Sequence, residues 1–368
     1  MGQDTDVFIA GGGPAGLAVA IAARERGFRV TVADGAKPPI TKACGEGLLP
    51  DARHALAELG VELRPSDGCE LRGIQFEDHR SSVSASFPAG NGIGVRREIL
   101  HRRMMERALD CGVSLRWNTP VMGLDEEGVV AGGNKIRARW VIGADGSGSR
   151  VRRWSGLAKF VEQRNRFAFR VHFRLEPWND FTEVHWGEET QAYVTPVGRE
   201  ELCVVLISKN PNTRFEESLL RFPRLARRLK GAAQASAERG AVTGMCELES
   251  VCRGNVALIG DASGSVDAIT GEGLSLSFKQ AKALADALAG GDLRRYQEAH
   301  KRLLHRPRVV ESLLLLLDRR SEIRKRTMRT LEKAPLLFER MLGYHVGETR
   351  PLELATAGAI FGWKFLAA

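Results

Sequence analysis

The stretch GGGPAGLAVAIAARERG, residues 11–27, directly follows the apolar segment 6–10. Its glycines at 11, 13 and 16 have the Gly-x-Gly-x-x-Gly spacing of a dinucleotide-binding turn. The first allows a sharp turn, the second lets backbone approach a pyrophosphate, and the third lets a helix pack closely on a strand. The pattern predicts a strand over 6–10 and a helix over 14–26 that ends at Gly27. The N-terminus of this helix would face the phosphates.

A second predicted strand, residues 29–33, ends at Asp34. This acid lies near the offset, roughly 20 residues, at which a carboxylate in such units accepts hydrogen bonds from a ribose. Strand, glycines, helix, strand and acid therefore occur in the order that predicts dinucleotide binding.

The composition is that of an ordinary globular protein. The 368 residues are 43% hydrophobic and 27% charged, which is enough for a large core and more than one part. The six cysteines form no CxxC pair, and no histidine cluster has metal-ligand spacing, so we expect neither zinc nor a disulfide framework. No signal-peptide pattern precedes the first strand, and the leucine run 313–317 is far shorter than a membrane span. We expect a cytoplasmic protein.

The net charge of +9 is concentrated late in the chain. A solvated helix face explains it, and attraction to an anionic membrane surface or an acidic partner is the alternative. No nucleic-acid-reading motif accompanies the charge, so we expect no nucleic-acid partner. The residues concerned are Arg294, Arg295, Lys301, Arg302, Arg306, Arg308, Arg319, Arg320, Arg324, Lys325, Arg326 and Arg329.

Two later stretches indicate which dinucleotide the chain would bind. RWVIGADGSGSRVRR, residues 139–153, predicts a strand ending in Gly143-Ala144-Asp145-Gly146. GNVALIGDASGSVDAITGEGLSLSF, residues 254–278, predicts a strand ending at Gly260-Asp261 and a helix that begins at Gly271-x-Gly273. Either could be an ordinary turn if it stood alone. In this order after the first motif, they resemble the flavoprotein family typified by p-hydroxybenzoate hydroxylase, geranylgeranyl reductase and flavin-dependent halogenases, over roughly the first 290 residues.

This resemblance implies bound FAD. Asp261 would hold the ribityl chain, and Asp145 would support the nucleotide region. Arg97, with Arg96 as its rival, would reach the cofactor phosphates; a surface salt bridge is the alternative for both arginines. The helix at Gly273 would direct its positive end to the N1–C2 edge of the flavin. The predicted cofactor-binding residues are Gly11, Gly13, Pro14, Ala15, Gly16, Asp34, Cys44, Gly45, Arg97, Asp145, Gly146, Gly260, Asp261, Gly271, Gly273 and Leu274.

The predicted fold is α/β. A Rossmann-like FAD-binding domain of the glutathione-reductase type, in parts 1–65, 96–164 and 246–292, carries an inserted antiparallel-sheet substrate domain, 66–95 and 165–245. Alternating polar and apolar residues over 70–87 and 166–208 indicate that sheet. A C-terminal helical region, 293–368, would cover the substrate cavity or dock on the sheet; its final apolar segment AGAIFGWKF makes membrane contact a less favoured alternative.

The loop KACGEGLLP, residues 42–50, contains the predicted catalytic residues. In the family this loop runs along the flavin ring, so Gly45 and Gly47 would let backbone approach the ring face. Cys44-Gly45 resembles the cysteine-bearing loop of geranylgeranyl reductases, and Glu46 could handle protons. Cys44, Gly45 and Glu46 are therefore the catalytic candidates, although a small residue in a tight gap would explain Cys44 equally well. Arg170, His172, His185 and Tyr193 are pocket candidates or ordinary sheet residues.

The family motifs leave several reactions open. Hydroxylases usually carry Gly-Asp-Ala-x-His and then a proline, but here those positions are Gly264 and Ala268. The Trp-x-Trp pair of halogenases is absent. The Tyr-x-Trp-x-x-Pro strand of geranylgeranyl reductases is reduced to Tyr193 and Pro196 in AYVTPVG.

We therefore expect a monooxygenase that uses reduced FAD and O2 on a small, largely apolar or aromatic organic substrate. Reduction of a carbon–carbon double bond is the alternative, and a non-catalytic flavin-binding protein or a nicotinamide-only dehydrogenase would belong to other classes. There is no second Gly-x-Gly-x-x-Gly. NAD(P)H would therefore dock transiently, or a separate flavin reductase would supply electrons.

Overall fold

The computed structural model describes residues 4–349 except 79–80, 126–127 and 188–189, together with 358 and 365. The predicted apolar segment 357–365 thus lies mostly outside the described residues. In chain order the strands are β1 Thr5–Ala10, β2 Val30–Ala33, β3 Gly47–Leu48, β4 Gly68–Leu71, β5 Gly73–Glu77, β6 Ser82–Ser86, β7 Gly92–Val95, β8 Ser114–Arg116, β9 Val121–Asp125, β10 Gly128–Ala131, β11 Asn134–Ile136, β12 Ala138–Gly143, β13 Phe160–Arg174, β14 Phe181–Trp186, β15 Thr190–Gly198, β16 Glu201–Ser208, β17 Ala233–Gln234, β18 Arg239–Leu248, β19 Cys252–Arg253 and β20 Val256–Leu258.

The helices are α1 Pro14–Glu25, α2 Pro50–Glu58, α3 Arg97–Asp110, α4 Arg150–Trp154, α5 Phe215–Leu219, α6 Pro223–Leu229, α7 Gly273–Ala289, α8 Leu293–Arg319, α9 Ser321–Glu332 and α10 Pro335–Val346. Among the described residues, no helix is both long enough and apolar enough to span a bilayer.

The first sheet has the order β19-β20-β12-β1-β2-β8. β1 pairs in parallel with β12 and β2, and β12 pairs in parallel with β20. These strands are almost continuously apolar because both faces of the sheet are covered. Helices α1, α3 and α7 and the small antiparallel sheet β11-β10-β9 contribute to the same core. The predicted Rossmann-like domain is confirmed, and all three motifs lie at the carboxyl ends of adjacent parallel strands.

The large sheet has the order β17-β13-β16-β15-β14-β5-β6, and β18 also pairs with β13. It is antiparallel except for the pair β14 and β5. Successive residues of β15 and β16 alternate between two cores. Tyr193 and Val205 face the core that contains α9 and α10, whereas Ala192 and Val204 face the core that contains α5 and α6. Both faces are therefore buried, and these two strands lack the polar side that strict alternation predicted.

The large sheet extends beyond the predicted limits of the substrate domain. β13 begins at Phe160 and β18 ends at Leu248, so both cross the boundaries expected at 164 and 245. β4 and β7 do not join the large sheet; they form a separate sheet with β3, in the order β3-β7-β4. That small sheet fixes the end of the loop 42–47 beside the large sheet.

Candidate active site

The turn between β1 and α1 gives its glycines different roles. Gly11 has a φ of +111°, and a Cβ there would lie 2.4 Å from the Ala144 carbonyl oxygen. A Cβ at Gly16 would lie 1.9 Å from the Gly11 carbonyl oxygen, so only glycine lets α1 pack this closely. The Cβ position of Gly13, in contrast, has nothing within 4 Å, and Gly13 lines the main cavity. The turn therefore leaves free space at the N-terminus of α1.

Asp34, at the end of β2, holds this turn in place. Its Oδ2 accepts a hydrogen bond from the Gly12 amide at 2.7 Å, and its Oδ1 accepts one from the Ala36 amide at 2.8 Å. From α3, His101 Nε2 lies 2.8 Å from the Gly12 carbonyl oxygen, so this nitrogen is the donor. Burial lowers the pKa of His101. His101 was not predicted from the sequence, because the segment that forms α3 was read only for an arginine that could reach phosphates.

Asp145 follows β12 and is occupied by local hydrogen bonds. Its Oδ1 accepts from the Ser149 hydroxyl at 2.5 Å, and its Oδ2 accepts from the Arg150 amide at 2.7 Å. Asp145 and Gly146 both line the cavity. The carboxylate therefore shapes the loop beside the cavity and caps the start of α4.

Asp261 follows β20 and is paired with the loop after β2. Lys42 Nζ donates to its Oδ2 at 2.6 Å. The Asp261 side chain keeps 37% of its surface exposed, and the residue lines the cavity. Burial opposes ionisation, but the charges of Lys42, Arg97 and Arg152 outweigh it, so the pKa of Asp261 lies below the ordinary carboxyl value. A carboxylate is thus presented to the cavity at neutral pH.

The start of α7 is open to the same cavity. Gly271 and Gly273 have nothing within 4 Å of their Cβ positions, and both line the cavity together with Leu274. Gly260, at the end of β20, also lines it, and its amide donates to Gln280 Oε1 at 2.9 Å. Backbone amides in the first turn of a helix have no intrahelical partner, so the start of α7 gives this wall of the cavity a positive potential.

The loop 42–47 brings Cys44 to the cavity wall. Arg97 Nη1 lies 3.9 Å from Cys44 Sγ, and both residues line the cavity. Gly45 has open space at its Cβ position, whereas a Cβ at Gly47 would touch Thr182 at 3.5 Å. Gly45 therefore leaves open space at the cavity wall, and Gly47 packs against the large sheet.

The two predicted arginines point in different directions. Arg96 pairs with Glu98 at 3.3 Å and with Glu201, and it does not line the main cavity. Arg97 lines that cavity, and its amide donates to Glu46 Oε1 at 3.1 Å. Arg97 is thus the one of these two arginines that faces the main cavity.

Glu46 lines the main cavity, and its side chain is held in a buried cluster. Its backbone has a φ of +58°, and its side chain has no exposed surface. His172 Nε2 lies 2.7 Å from Glu46 Oε2, and Arg170 Nη1 lies 3.4 Å from Oε1. Ser236 Oγ lies 2.9 Å from His172 Nδ1. The carboxylate holds the loop to β13, and the role of Glu46 as a proton handler stays a prediction.

Glu46, His172 and Cys203 bring three potential metal-ligand atoms close together. Two observations argue against a cation there. The Arg170 guanidinium already supplies a buried positive charge to Glu46 and contacts the His172 ring at 2.9 Å. Burial also raises the pKa of Cys203 well above its ordinary value, so this thiol stays protonated. The cluster is best explained as a structural support for the loop.

The remaining pocket candidates differ in whether they line the main cavity. His185 Nε2 lies 2.7 Å from Glu183 Oε2 in a buried pair that is outside the main cavity. Arg170 and His172 lie in the buried cluster. Tyr193 lines the cavity, and its hydroxyl donates to the Ile269 carbonyl oxygen at 3.0 Å. Burial raises the pKa of Tyr193, which keeps the phenol neutral.

A second group of contacts, missed from the sequence, holds the segment between β20 and α7. Arg166 Nη1 lies 3.2 Å from Asp267 Oδ1, and both side chains are 4% exposed. Asp267 Oδ1 also accepts from the Ile269 amide at 3.0 Å. These bonds, with that of Tyr193, fix the peptide next to Ala268, where family hydroxylases carry proline.

The cavity has a volume of about 1050 Å³. This is at the upper end of the roughly 300–1,000 Å³ typical of ligand pockets, so it has room for a large cofactor together with a second molecule. The glycine turns and charged groups form one part of its wall. Apolar side chains from the large sheet and from α8 to α10 form the other: Ile74, Phe76, Ala168, Val184, Val205, Ile207, Leu313, Leu314, Leu317, Leu331, Phe338, Met341 and Leu342.

Comparison with known proteins identifies what this arrangement binds. A family model described as "FAD binding domain" matches residues 4–305, and the chain belongs to that family. FAD is therefore its cofactor, and the open glycines and the charged wall of the cavity fit such a dinucleotide. The protein is an FAD-dependent oxidoreductase.

Curated relatives carry out more than one reaction. A menaquinone reductase of Mycolicibacterium smegmatis is 29% identical over 83% of this chain and 81% of its own. A digeranylgeranylglycerophospholipid reductase of Thermoplasma acidophilum is 28% identical over 73% of this chain and 74% of its own. A putative FAD-dependent monooxygenase of Bacillus subtilis, YetM, is 27% identical over 77% of this chain and 84% of its own.

Among solved structures, a flavin-dependent brominase matches 97% of both chains with a TM-score of 0.81 at 19% identity. At this identity the likeness concerns the fold alone. The expected superfamily is confirmed, while oxygenation, the reaction that the sequence favoured, stays a prediction.

Proposed function

We propose that the protein is an FAD-dependent reductase that adds two hydrogen atoms across a carbon–carbon double bond of a largely apolar, isoprenoid-like substrate. The observation that carries the proposal is the continuity of the cavity. Its apolar part, between the large sheet and α8 to α10, opens directly onto the glycine-lined part that suits the cofactor. The reductases of two lipid-like compounds among the relatives support this choice over oxygenation.

The residues along the charged wall would hold FAD. The amides at the start of α1, beside Gly13, would bind the pyrophosphate, and Arg97 would add a positive charge there. Asp34 would bind the adenosine ribose, and Asp261 would bind the ribityl chain. Pro14, Ala15, Asp145, Gly146 and Gly260 complete the walls of this part.

The flavin end would lie between Gly45 and the start of α7. Gly271, Gly273 and Leu274 would border the N1–C2 edge, where the positive helix end stabilises negative charge. Bound FAD, once reduced, supplies the hydride for one carbon of the double bond. The electrons come from NADH or NADPH docking transiently, or from a separate flavin reductase.

Cys44 is the proposed proton donor to the second carbon. Cys44 lines the cavity next to Gly45, so Sγ would hold a proton near a substrate that lies against the flavin. The thiol would give its proton to that carbon, and the resulting thiolate would regain a proton from solvent.

Product analysis tests this reaction directly. Protein reduced with dithionite under nitrogen is mixed with geranylgeraniol, and the product is examined by mass spectrometry. Gain of two hydrogen atoms per reacted double bond supports the proposal. The Cys44→Ala variant should lose on the order of 100-fold in rate while it keeps its flavin. Cys111→Ala is the matched control, because Cys111 lies outside the main cavity.

Monooxygenation is the second candidate, supported by the similarity to YetM. Gain of one oxygen atom, seen only when air and NAD(P)H are both present, would favour it over double-bond reduction. Recovery of unchanged geranylgeraniol under both conditions would contradict the isoprenoid-like substrate class.

A further inference from the structure

Glu272 is a buried carboxyl at the cavity with one unoccupied oxygen. It precedes α7, its side chain is 1% exposed, and it lines the cavity. Arg306 Nη2 from α8 lies 3.3 Å from Glu272 Oε1. Glu272 Oε2 has no hydrogen-bond partner among the described residues. A buried polar atom without a partner is costly and uncommon, so this oxygen can accept a hydrogen bond from a molecule that enters the cavity.

His345, from α10, presents a second such atom. Its side chain is 11% exposed, it lines the cavity, and its Nε2 also has no hydrogen-bond partner in the part of the chain that the structure describes. The distance from His345 Nε2 to Glu272 Oε2 is 3.9 Å. This distance is too long for a direct hydrogen bond. A ligand oxygen placed between the two atoms, off the straight line that joins them, would lie within hydrogen-bond distance of both.

The surroundings of this pair are apolar on the cavity side. Phe338, Met341 and Leu342 of α10 line the same space. Burial raises the pKa of Glu272, and nearby Asp51 adds to this, while His345 and Arg306 oppose it. The two polar atoms therefore lie where the charged group of Arg306 and Asp51 meets the apolar wall of the cavity.

We propose that Glu272 and His345 together bind one hydroxyl oxygen of an otherwise apolar substrate. A hydroxyl is both donor and acceptor, so it donates to Glu272 Oε2 and accepts from His345 Nε2–H. A pure hydrocarbon would leave both protein atoms unpaired. The pair thus selects hydroxylated molecules and fixes which end of the substrate lies against α10. The inference rests on the proposed function for its substrate, but not on the reaction at the double bond.

Binding of two matched probes tests the pair without turnover. Isothermal titration of the FAD-loaded protein compares 2-naphthol with 2-methylnaphthalene, which have the same ring and differ in the hydroxyl. We expect the wild type to prefer 2-naphthol about tenfold, the effect of one hydrogen bond to a buried polar group. His345→Leu should reduce the preference, because only the bond to Glu272 remains, and should leave 2-methylnaphthalene binding unchanged. His345→Gln, which keeps a donor, should retain more of the preference than His345→Leu.

His305→Leu, an exposed histidine on α8, is the matched control and should keep the full preference. Flavin absorbance of each variant verifies that the cofactor site is intact. No preference in the wild type, or an undiminished preference in His345→Leu, overturns the proposal. These outcomes are separate from failure of the proposed function, because a protein that prefers 2-naphthol and yet reduces no double bond keeps the hydroxyl site and loses the reaction.

Discussion

Lys42 Nζ lies 2.6 Å from Asp261 Oδ2, and this bond joins the loop after β2 to the motif after β20. The two segments are 219 residues apart in sequence. The loop that carries Cys44 and the acid proposed for the ribityl chain are therefore held as one unit. Cofactor binding and the position of the thiol should depend on each other through this contact.

Lys42→Met should weaken FAD binding about tenfold, the effect of losing a charge-assisted hydrogen bond. Because Lys42 lowers the pKa of Asp261, the variant should also release FAD at a higher pH than the wild type as solutions are acidified. Fluorescence titration of apoprotein with FAD measures both effects. Lys37→Met, at an exposed position in the same loop, should behave as wild type. Equal affinity in wild type and Lys42→Met would contradict the coupling.

Substitution by alanine should weaken FAD binding at Gly13 and destabilise the fold at Gly16. Gly13→Ala places a methyl in open cavity, so the apoprotein should unfold at nearly the wild-type temperature while its affinity for FAD falls at least about tenfold. Gly16→Ala places a methyl 1.9 Å from a carbonyl oxygen, so the fold itself should lose several kcal/mol, as expected for severe overpacking. Thermal unfolding and FAD titration of both variants separate the two roles. Unchanged affinity of Gly13→Ala for FAD would contradict binding of the pyrophosphate at this turn.

The Glu46 cluster should behave as a buried ion pair. Glu46→Ala leaves Arg170 buried without its carboxylate partner, and should cost about 3–5 kcal/mol in the free energy of unfolding. Glu46→Leu combined with Arg170→Met removes both charges and should recover most of that loss. Urea unfolding measures these changes, with the exposed Glu62→Ala as the control. If the double variant is no more stable than Glu46→Ala, the carboxylate does not act through Arg170.

His300 should make the protein sensitive to mild acid. Burial lowers the pKa of His300 to about 4, whereas an unfolded histidine titrates near 6.5. Between these values the unfolded chain binds a proton that the folded chain does not, so stability falls as the pH drops from about 6.5 to about 4, by roughly 2–3 kcal/mol.

His300→Gln should flatten this pH dependence and keep a polar contact with Ser263, which lies 3.0 Å from His300 Nε2. His305→Gln on the exposed side of α8 should leave the dependence unchanged. Urea unfolding at several pH values makes the comparison, and an equally steep curve for His300→Gln would assign the acid sensitivity to other groups.

The cofactor part of the site follows from local sequence. Each glycine motif combines a strand, a turn and a helix start within a few residues, and parallel strands bring their carboxyl ends to one edge of the sheet. The polar clusters could not be predicted in this way. Glu46 and His172 are 126 residues apart, and only the register of the large sheet brings them together.

The limits of the large sheet also could not be predicted from the sequence. The first residues of β13 are mainly polar and exposed, so they lack the alternation by which a half-buried strand is predicted. They are strand because β18 pairs with them over almost its whole length. The apolar chamber likewise requires α8 to α10 to fold back over the sheet, which no single segment specifies.

The most direct test of the proposed double-bond reduction is anaerobic reoxidation of the reduced flavin in a stopped-flow spectrometer. Mixing with geranylgeraniol in the absence of oxygen should restore the absorbance of oxidised FAD, because the only electron acceptor present is the double bond. A flavin that stays reduced with geranylgeraniol, and reoxidises only when oxygen is admitted, would contradict double-bond reduction as the function of this protein.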